Sequence, residues 1–248
     1  MFEAKKYTVG EYSSRFGLAK RKISKRKLNS WRFRLYLRLI SLFPQIKLVG
    51  LSGSISMMNA KKEDDIDLFI ITAKNRLFTG RFTSLILAFL LGLKRKRNDT
   101  RYALQATHFQ NKVCLNLFFD ERELGIPRFK QSVFVGHEVL QMKPVINKDR
   151  VYERFLEANQ WVMSFFPNTP KISNFKFLIS NQFPISKFKN YELNKNLKFK
   201  IENFSGWLEG QLKKFQLKLI KTHQTTEIIT NTQLWFHPDD FEKKIKLP

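Results

Sequence analysis

A chain of 248 residues has room for one sizeable core or two small domains, and 25 Phe with four Trp supply ample apolar material, which excludes a largely disordered polypeptide. A net charge of +24 makes polyanions the expected partners, RNA, DNA or nucleotides, although the abundance of Lys, Phe, Ile and Asn is also what AT-rich coding produces. The single cysteine, Cys114, excludes an intrachain disulfide, and neither a zinc-spaced Cys/His cluster nor a signal-peptide core nor an apolar run of the roughly 20 residues that span a bilayer is present, so a soluble, cytoplasmic protein with no membrane contact is expected.

Residues 1–48 carry thirteen Lys or Arg against two Glu, densest at 20–22 and 25–27, and form a basic arm suited to RNA or DNA. Trp31, Leu35, Leu39 and Leu42 fall at helical spacing, with Arg34 and Arg38 on another face, so an amphipathic helix leads into Pro44 and a strand over 46–50. A short helix over 55–59 has its N-terminus at Gly53-Ser54. A strand at 65–71 and a helix at 76–93 ending near Gly92 come next. The stretches 104–109 and 113–118 read as a strand pair with Gln110-Asn111 in the turn. The second half reads as helical. Tyr152, Phe155, Leu156, Asn159, Val162, Met163 and Phe166 mark one face of a helix that stops at Pro167, and Ile201, Phe204, Leu208, Leu212, Phe215 and Leu219 mark a longer one. Between them, 168–196 reads as loop or weak structure. The expected organisation is a basic arm and helix over 1–44, a core over 45–130 and a mainly helical region over 131–248.

The chemistry concentrates in Leu51-Ser52-Gly53-Ser54 and, ten residues on, Asp65-Ile66-Asp67-Leu68-Phe69-Ile70-Ile71. Side chains at i and i+2 of a strand share a face, so Asp65 and Asp67 project together while Ile66 and Leu68 face the other side. Two like charges held this close call for a cation or a proton, and hard oxygen donors favour Mg²⁺ bridging to substrate phosphates. Gly53 lets the backbone approach closely and Ser54 has a hydroxyl to donate.

Gly-Ser, about ten residues, then Asp-hydrophobic-Asp-hydrophobic resembles the signature of the DNA polymerase beta-like nucleotidyltransferase superfamily, over about residues 46–120. The resemblance implies an α+β fold, a small mixed β-sheet core flanked by helices, and transfer of NMP from NTP to an acceptor hydroxyl with Mg²⁺ or Mn²⁺. Carried over, Asp65 and Asp67 are metal ligands and catalytic residues, and Gly53 and Ser54 contact the triphosphate. The family's third carboxylate falls on the strand Val113-Cys114-Leu115-Asn116-Leu117-Phe118, where this chain offers Asn116. Asn has a carbonyl oxygen to coordinate with but carries no charge and cannot serve as a base.

Three outcomes stay open: turnover with one firmly held metal assisted by Asp64, Asp120 or Glu121, nucleotide binding without turnover, or a misaligned third strand. Together with Asn59-Ala60, Gln141-Met142-Lys143-Pro144 and Phe236-His237-Pro238-Asp239, this Asn resembles a bacterial nucleotidyltransferase-like group in which it is usual. The functional alternatives are a catalytically weakened nucleotide- or nucleic-acid-binding module and an antitoxin-like enzyme that modifies a protein, whose members are usually shorter. His108 and His137 read as structural histidines, His223 as a helix C-terminal residue, and His237-Pro238-Asp239-Asp240 as a helix cap.

Overall fold

The computed structural model describes residues 9–94, 111–167, 195–222 and 227–236, with backbone alone for 9–16 and 195–205. Helices α1 (Val9–Leu28) and α2 (Trp31–Ser41) open the chain. Ser30 separates them, its Oγ accepting the Phe33 N–H of the second helix at 3.3 Å.

The class is α+β. Six strands, β1 (Ile46–Leu51), β2 (Ile66–Thr72), β3 (Val113–Asp120), β4 (Lys143–Asn147), β5 (Ile228–Ile229) and β6 (Gln233–Trp235), form one mixed sheet in the order β4-β1-β2-β3-β6-β5. β2 and β3 run parallel, and the other neighbours are antiparallel. A parallel pair needs a crossover, which here contains α4 (Leu77–Leu90). The remaining described helices are the single turn α3 (Gly53–Ser56), α5 (Val133–Gln141), α6 (Val151–Ala158), α7 (Val162–Phe165) and α8 (Lys195–Lys221), with a 3-10 turn at Arg128–Lys130.

Alternation along the central strands divides the core in two. Ile66, Leu68 and Ile70 of β2 join Phe33, Tyr36, Ile40, Leu77 and Phe78 on the side of α2 and α4. Phe69 and Ile71 join Phe119, Val139, Met142, Tyr152 and Phe155 on the side of α5 and α6. The C-terminal helix α8 locks onto the start of α4. Glu209 accepts the backbone N–H groups of Phe78 (2.8 Å) and Thr79 (2.7 Å), two donors with no partner inside the helix, and Gln216 donates to the Phe78 carbonyl at 2.8 Å. Among the described residues no helix is long and apolar enough to cross a membrane.

Several local expectations are corrected. The buried face of α2 is Phe33, Tyr36, Leu37 and Ile40, while Trp31 and Leu42 are exposed. Two apolar rows on this helix share the same spacing, so periodicity alone does not choose between them. The helix expected to run to Pro167 breaks after Ala158. Asn159 is buried there with its amide fully engaged, donating to the carbonyls of Leu124 (2.9 Å) and Phe155 (2.8 Å) and accepting from Ile126 N (2.8 Å) and Trp161 Nε1 (3.1 Å). On α8 the inward residues are Glu209, Leu212 and Gln216, whereas Phe215 and Leu219 are exposed; the side chains of Ile201 and Phe204 lie outside the description. Among the described residues the second half is mainly helical, as expected, but it also contributes the short strands β4, β5 and β6 to the sheet. The expected strand at 104–109, residues 168–194 of the loop expected over 168–196, His108, His223 and the segment 237–240 lie outside the described residues, and residues 195–196 belong to α8.

Asn159→Ala strands buried donors and acceptors of the segment 124–126. A loss on the order of 2–4 kcal/mol is expected, read as a lower urea midpoint at unchanged m-value.

Candidate functional site

The pairing of β1 with β2 builds the site. Leu51, the last residue of β1, lies opposite Leu68, and Ser52 N donates to Asp67 O at 3.0 Å, so the chain leaving β1 turns directly beside the start of β2. Gly53 makes that turn at φ +58, a left-handed conformation that favours glycine. A Cβ on Gly53 would stand 2.6 Å from Asp67 Oδ2. The bend and the carboxylate therefore occupy one place, and the glycine makes room for Asp67 itself.

Asp65 immediately precedes β2, and Asp67 is its second residue, facing away from Ile66 and Leu68 as expected. Asp67 titrates at about 6: burial pushes it up, a hydrogen bond from the Cys114 thiol pulls it back, and the negative charges of Glu138, Asp65 and Asp64 push it further up. Cys114 is the register partner of Asp67 on β3. Asn116, two residues along, donates through Nδ2 to Cys114 Sγ at 2.7 Å. The Asn expected as a stand-in for the third carboxylate thus reaches Asp67 through a thiol.

The other expected acids are employed elsewhere. Asp64 accepts the Ser54 hydroxyl at 2.8 Å and Lys61 N at 2.9 Å, closing the loop between bend and strand. The Ser54 hydroxyl expected to face a phosphate is therefore already donated. Asp120 does not share the face of Asn116. Leu115 and Phe118 lie in the same core, so the alternation of β3 slips between them, alongside a register shift between Asp67 and Phe69. Asp120 is fully buried at the far end of β3, paired with Arg122 at 2.9 Å and accepting Asn75 N at 2.7 Å. Glu121 accepts Lys74 N at 3.0 Å and pairs with Arg154 at 3.2 Å. His137 is exposed on α5 against Gln141 and the Phe166 ring, not in apolar surroundings.

Four residues of the cluster were not expected, Cys114, Lys27, Ser24 and Glu138. Lys27, one of the basic run on α1, is fully buried; its ammonium donates to the carbonyls of Lys62 (2.9 Å) and Asp64. Burial lowers its pKa, opposed by the charges of Asp64, Asp65, Glu63 and Asp67. Ser24, a turn earlier, accepts Ala60 N at 3.0 Å. Helix α1 thus holds the acidic loop by both ends. Glu138 on α5 is likewise pushed up by burial. Cys114 had a signal available, the strand parity it shares with Asn116; Lys27 and Glu138 had none, because only tertiary packing brings them here.

Among the described residues no three His, Cys, Asp or Glu side chains are grouped so as to hold a metal ion. What the site offers is a pair of hard oxygen donors, one with a raised pKa. That suits a cation such as Mg²⁺, which is commonly held by one or two carboxylates, waters and substrate phosphates; it does not suit a cage made of protein alone.

No family model and no curated protein matches the chain. Solved structures with some likeness include two mutants of the toxin–antitoxin MntA-HpeT, one with 17% identity over 60% of this chain and 95% of that one at TM-score 0.30, the other with 18% over 58% and 91% at 0.29. A toxin–antitoxin structure with AMP-PNP shows 17% identity over 60% and 95% at TM-score 0.29. Likeness of this degree carries no argument about function.

Because Asp67 is raised in the folded state above its ordinary value of about 3.9, the folded chain holds more protons than the unfolded one between about pH 4 and pH 6. Stability attributable to this group is full below pH 4 and lost as pH rises through 6, by at most about 3 kcal/mol, less where water still reaches the carboxylate. Asp67→Asn is expected to flatten that decline in a series of melting curves from pH 4 to pH 7. Gly53→Ala meets both the left-handed penalty, about 1–2 kcal/mol, and the collision with Asp67; a lower melting temperature is its expected signature.

Proposed function

We propose that this chain is a divalent-cation-dependent nucleotidyltransferase, moving an NMP from an NTP to an acceptor hydroxyl. The observation that carries the reading is the glycine bend folded against Asp67, with the Asp65 charge close enough to act on the Asp67 carboxyl. It is the local arrangement that the Gly-Ser and Asp-x-Asp motif requires. The α+β class with a small mixed sheet agrees with it.

In this reading Asp65 and Asp67 hold the cation. Mg²⁺ or Mn²⁺, when bound, neutralises charge on the triphosphate and helps pyrophosphate leave. Gly53 and Ser54 receive the phosphates, and an incoming phosphate oxygen competes with Asp64 for the Ser54 hydroxyl. Lys27 keeps the acidic loop in place from beneath through its two carbonyl contacts. The acceptor oxygen forms a bond to the α-phosphorus as the bond from that phosphorus to the pyrophosphate oxygen breaks, and the hydroxyl proton passes to water. Asn116 takes no part in that proton's removal; it orients Cys114 against Asp67.

A second reading is favoured by one observation. With the Asn116 amide engaged by Cys114 and no three potential ligands grouped so as to hold a metal ion among the described residues, the site also suits a weakened transferase that binds nucleotide or nucleic acid without turning it over.

Incubation with each α-³²P-labelled NTP, Mg²⁺ or Mn²⁺, and total RNA or lysate separates the two. Label transfer that falls at least about a hundredfold in Asp65→Ala and in Asp67→Ala supports the enzyme, since losing a catalytic ligand removes several kcal/mol of transition-state stabilisation. Retained NTP binding with no transfer under any condition favours the binding module. Under the transferase reading Asn116→Asp is expected to tighten Mn²⁺ binding and raise turnover.

A further inference from the structure

Next to the acidic loop lies a second feature, a cleft of about 260 Å³ lined by Ser30, Trp31, Arg32, Gly92, Asn111 and Lys112. None of the six is acidic. It lies below the roughly 300–1,000 Å³ of pockets that enclose a small molecule, so it is too small to enclose a drug-sized ligand. Trp31 stands 67% exposed at its wall, which explains why this residue failed as a core residue of α2. The Arg32 guanidinium lies 5.4 Å from the centre of the indole ring. Lys112 donates one of its three ammonium protons to the Gly92 carbonyl at 2.8 Å, which fixes the amine at the cleft and leaves two protons for a ligand.

Further cations are exposed on the segments that adjoin the cleft residues in the chain. Lys94, exposed, forms a parallel bridge to Val113, the residue after Lys112, and Arg21, Lys22, Lys25 and Arg26 are exposed along α1. Two backbone connections tie the cleft to the acids. Ile66, the residue after Asp65, donates its N–H to Lys112 O at 2.8 Å, and Ser30 N donates to the carbonyl of Lys27, whose ammonium holds Asp64.

We propose that this cleft is a binding site for single-stranded RNA. Trp31 stacks one unpaired base, Arg32 and Lys112 hold the flanking phosphates, and the cations of α1 carry the strand onward. An exposed indole beside fixed cations is the combination that single strands use, because a base inside a duplex does not present its face. The binding site stands on the cleft alone; that the bound RNA supplies the acceptor hydroxyl rests on the transferase reading.

The test keeps the two apart. Fluorescence anisotropy of a labelled 12-nucleotide oligouridylate is measured in EDTA without NTP, where transfer cannot occur. Trp31→Ala is expected to weaken binding roughly 5- to 150-fold, as loss of one base–aromatic stack does, while Trp31→Phe keeps most of the affinity. Arg32→Ala with Lys112→Ala makes the plot of log affinity against log salt shallower by about 1.4, two phosphate contacts on a single strand. Lys214→Ala, an exposed cation on α8, leaves affinity unchanged, and melting curves confirm that each variant is folded. Trp31→Ala binding as tightly as the parent, or a duplex binding as well as the single strand, would overturn the proposal. So would capture by anionic phospholipid vesicles with no affinity for the oligonucleotide, an outcome to check because Phe89 and Leu90 are also exposed near the cleft-lining Gly92. Binding in EDTA without any label transfer under the conditions above retains the RNA site and removes the transferase.

Discussion

Asp67 keeps its carboxylate where water reaches it poorly and where Gly53 leaves just enough room, and the neighbouring elements are arranged about that charge. Antiparallel pairing of β1 with β2 sets the bend beside the strand. Parallel pairing of β2 with β3 brings Cys114 into register, and its thiol favours the ionised form of Asp67 through a hydrogen bond, as the Lys27 ammonium does through its charge. From the other direction Glu138, Asp65 and Asp64 oppose ionisation. A cluster whose negative charges disfavour one another gains from any cation that reaches it.

Helix α1 has two roles that its composition conceals. Its exposed cations belong to the basic surface, but Lys27 and Ser24 turn inward and hold the loop over 60–64 through backbone contacts. A buried ammonium among acids offsets part of their repulsion at any pH where it stays protonated, and burial lowers that limit from its usual value. The acids therefore depend on an element outside the motif that they define.

What could be read before the fold was known depended on how local the cause was. The strand alternation that puts Asp67 opposite Ile66 and Leu68 needs only neighbouring residues, and it held, as did the α+β class and the bend at Gly53; Asp65 lies just before the strand. Asp120, one of three acids offered as possible help to the pair, lies away from it because a slip in β3 reverses parity after Leu115, and such a slip leaves no mark in composition. The inward faces of α2 and α8 were misjudged because each helix carries two apolar rows, or polar residues that face inward to satisfy a distant helix end, as Glu209 and Gln216 do for α4. Strands β4 to β6 were missed because they are short: Ile228–Ile229 and Gln233–Trp235 are too brief to show a period. The assignments at 104–109, at 168–194 and at His108, His223 and 237–240 fall outside the described residues.

The lock between α8 and α4 has a consequence for how the chain is made. Glu209 follows Phe78 by 131 positions, and Gln233 of β6 bonds the carbonyl of Glu123 from 110 positions away. At the usual translation speed of about 5–20 residues per second, a nascent chain spends on the order of ten seconds with the first turn of α4 uncapped and the flank of β3 open. During that interval the ribosome-bound polypeptide offers a ready strand edge to any other unfinished chain, so its yield in a cell depends on chaperone supply and growth temperature as well as on the stability of the finished fold.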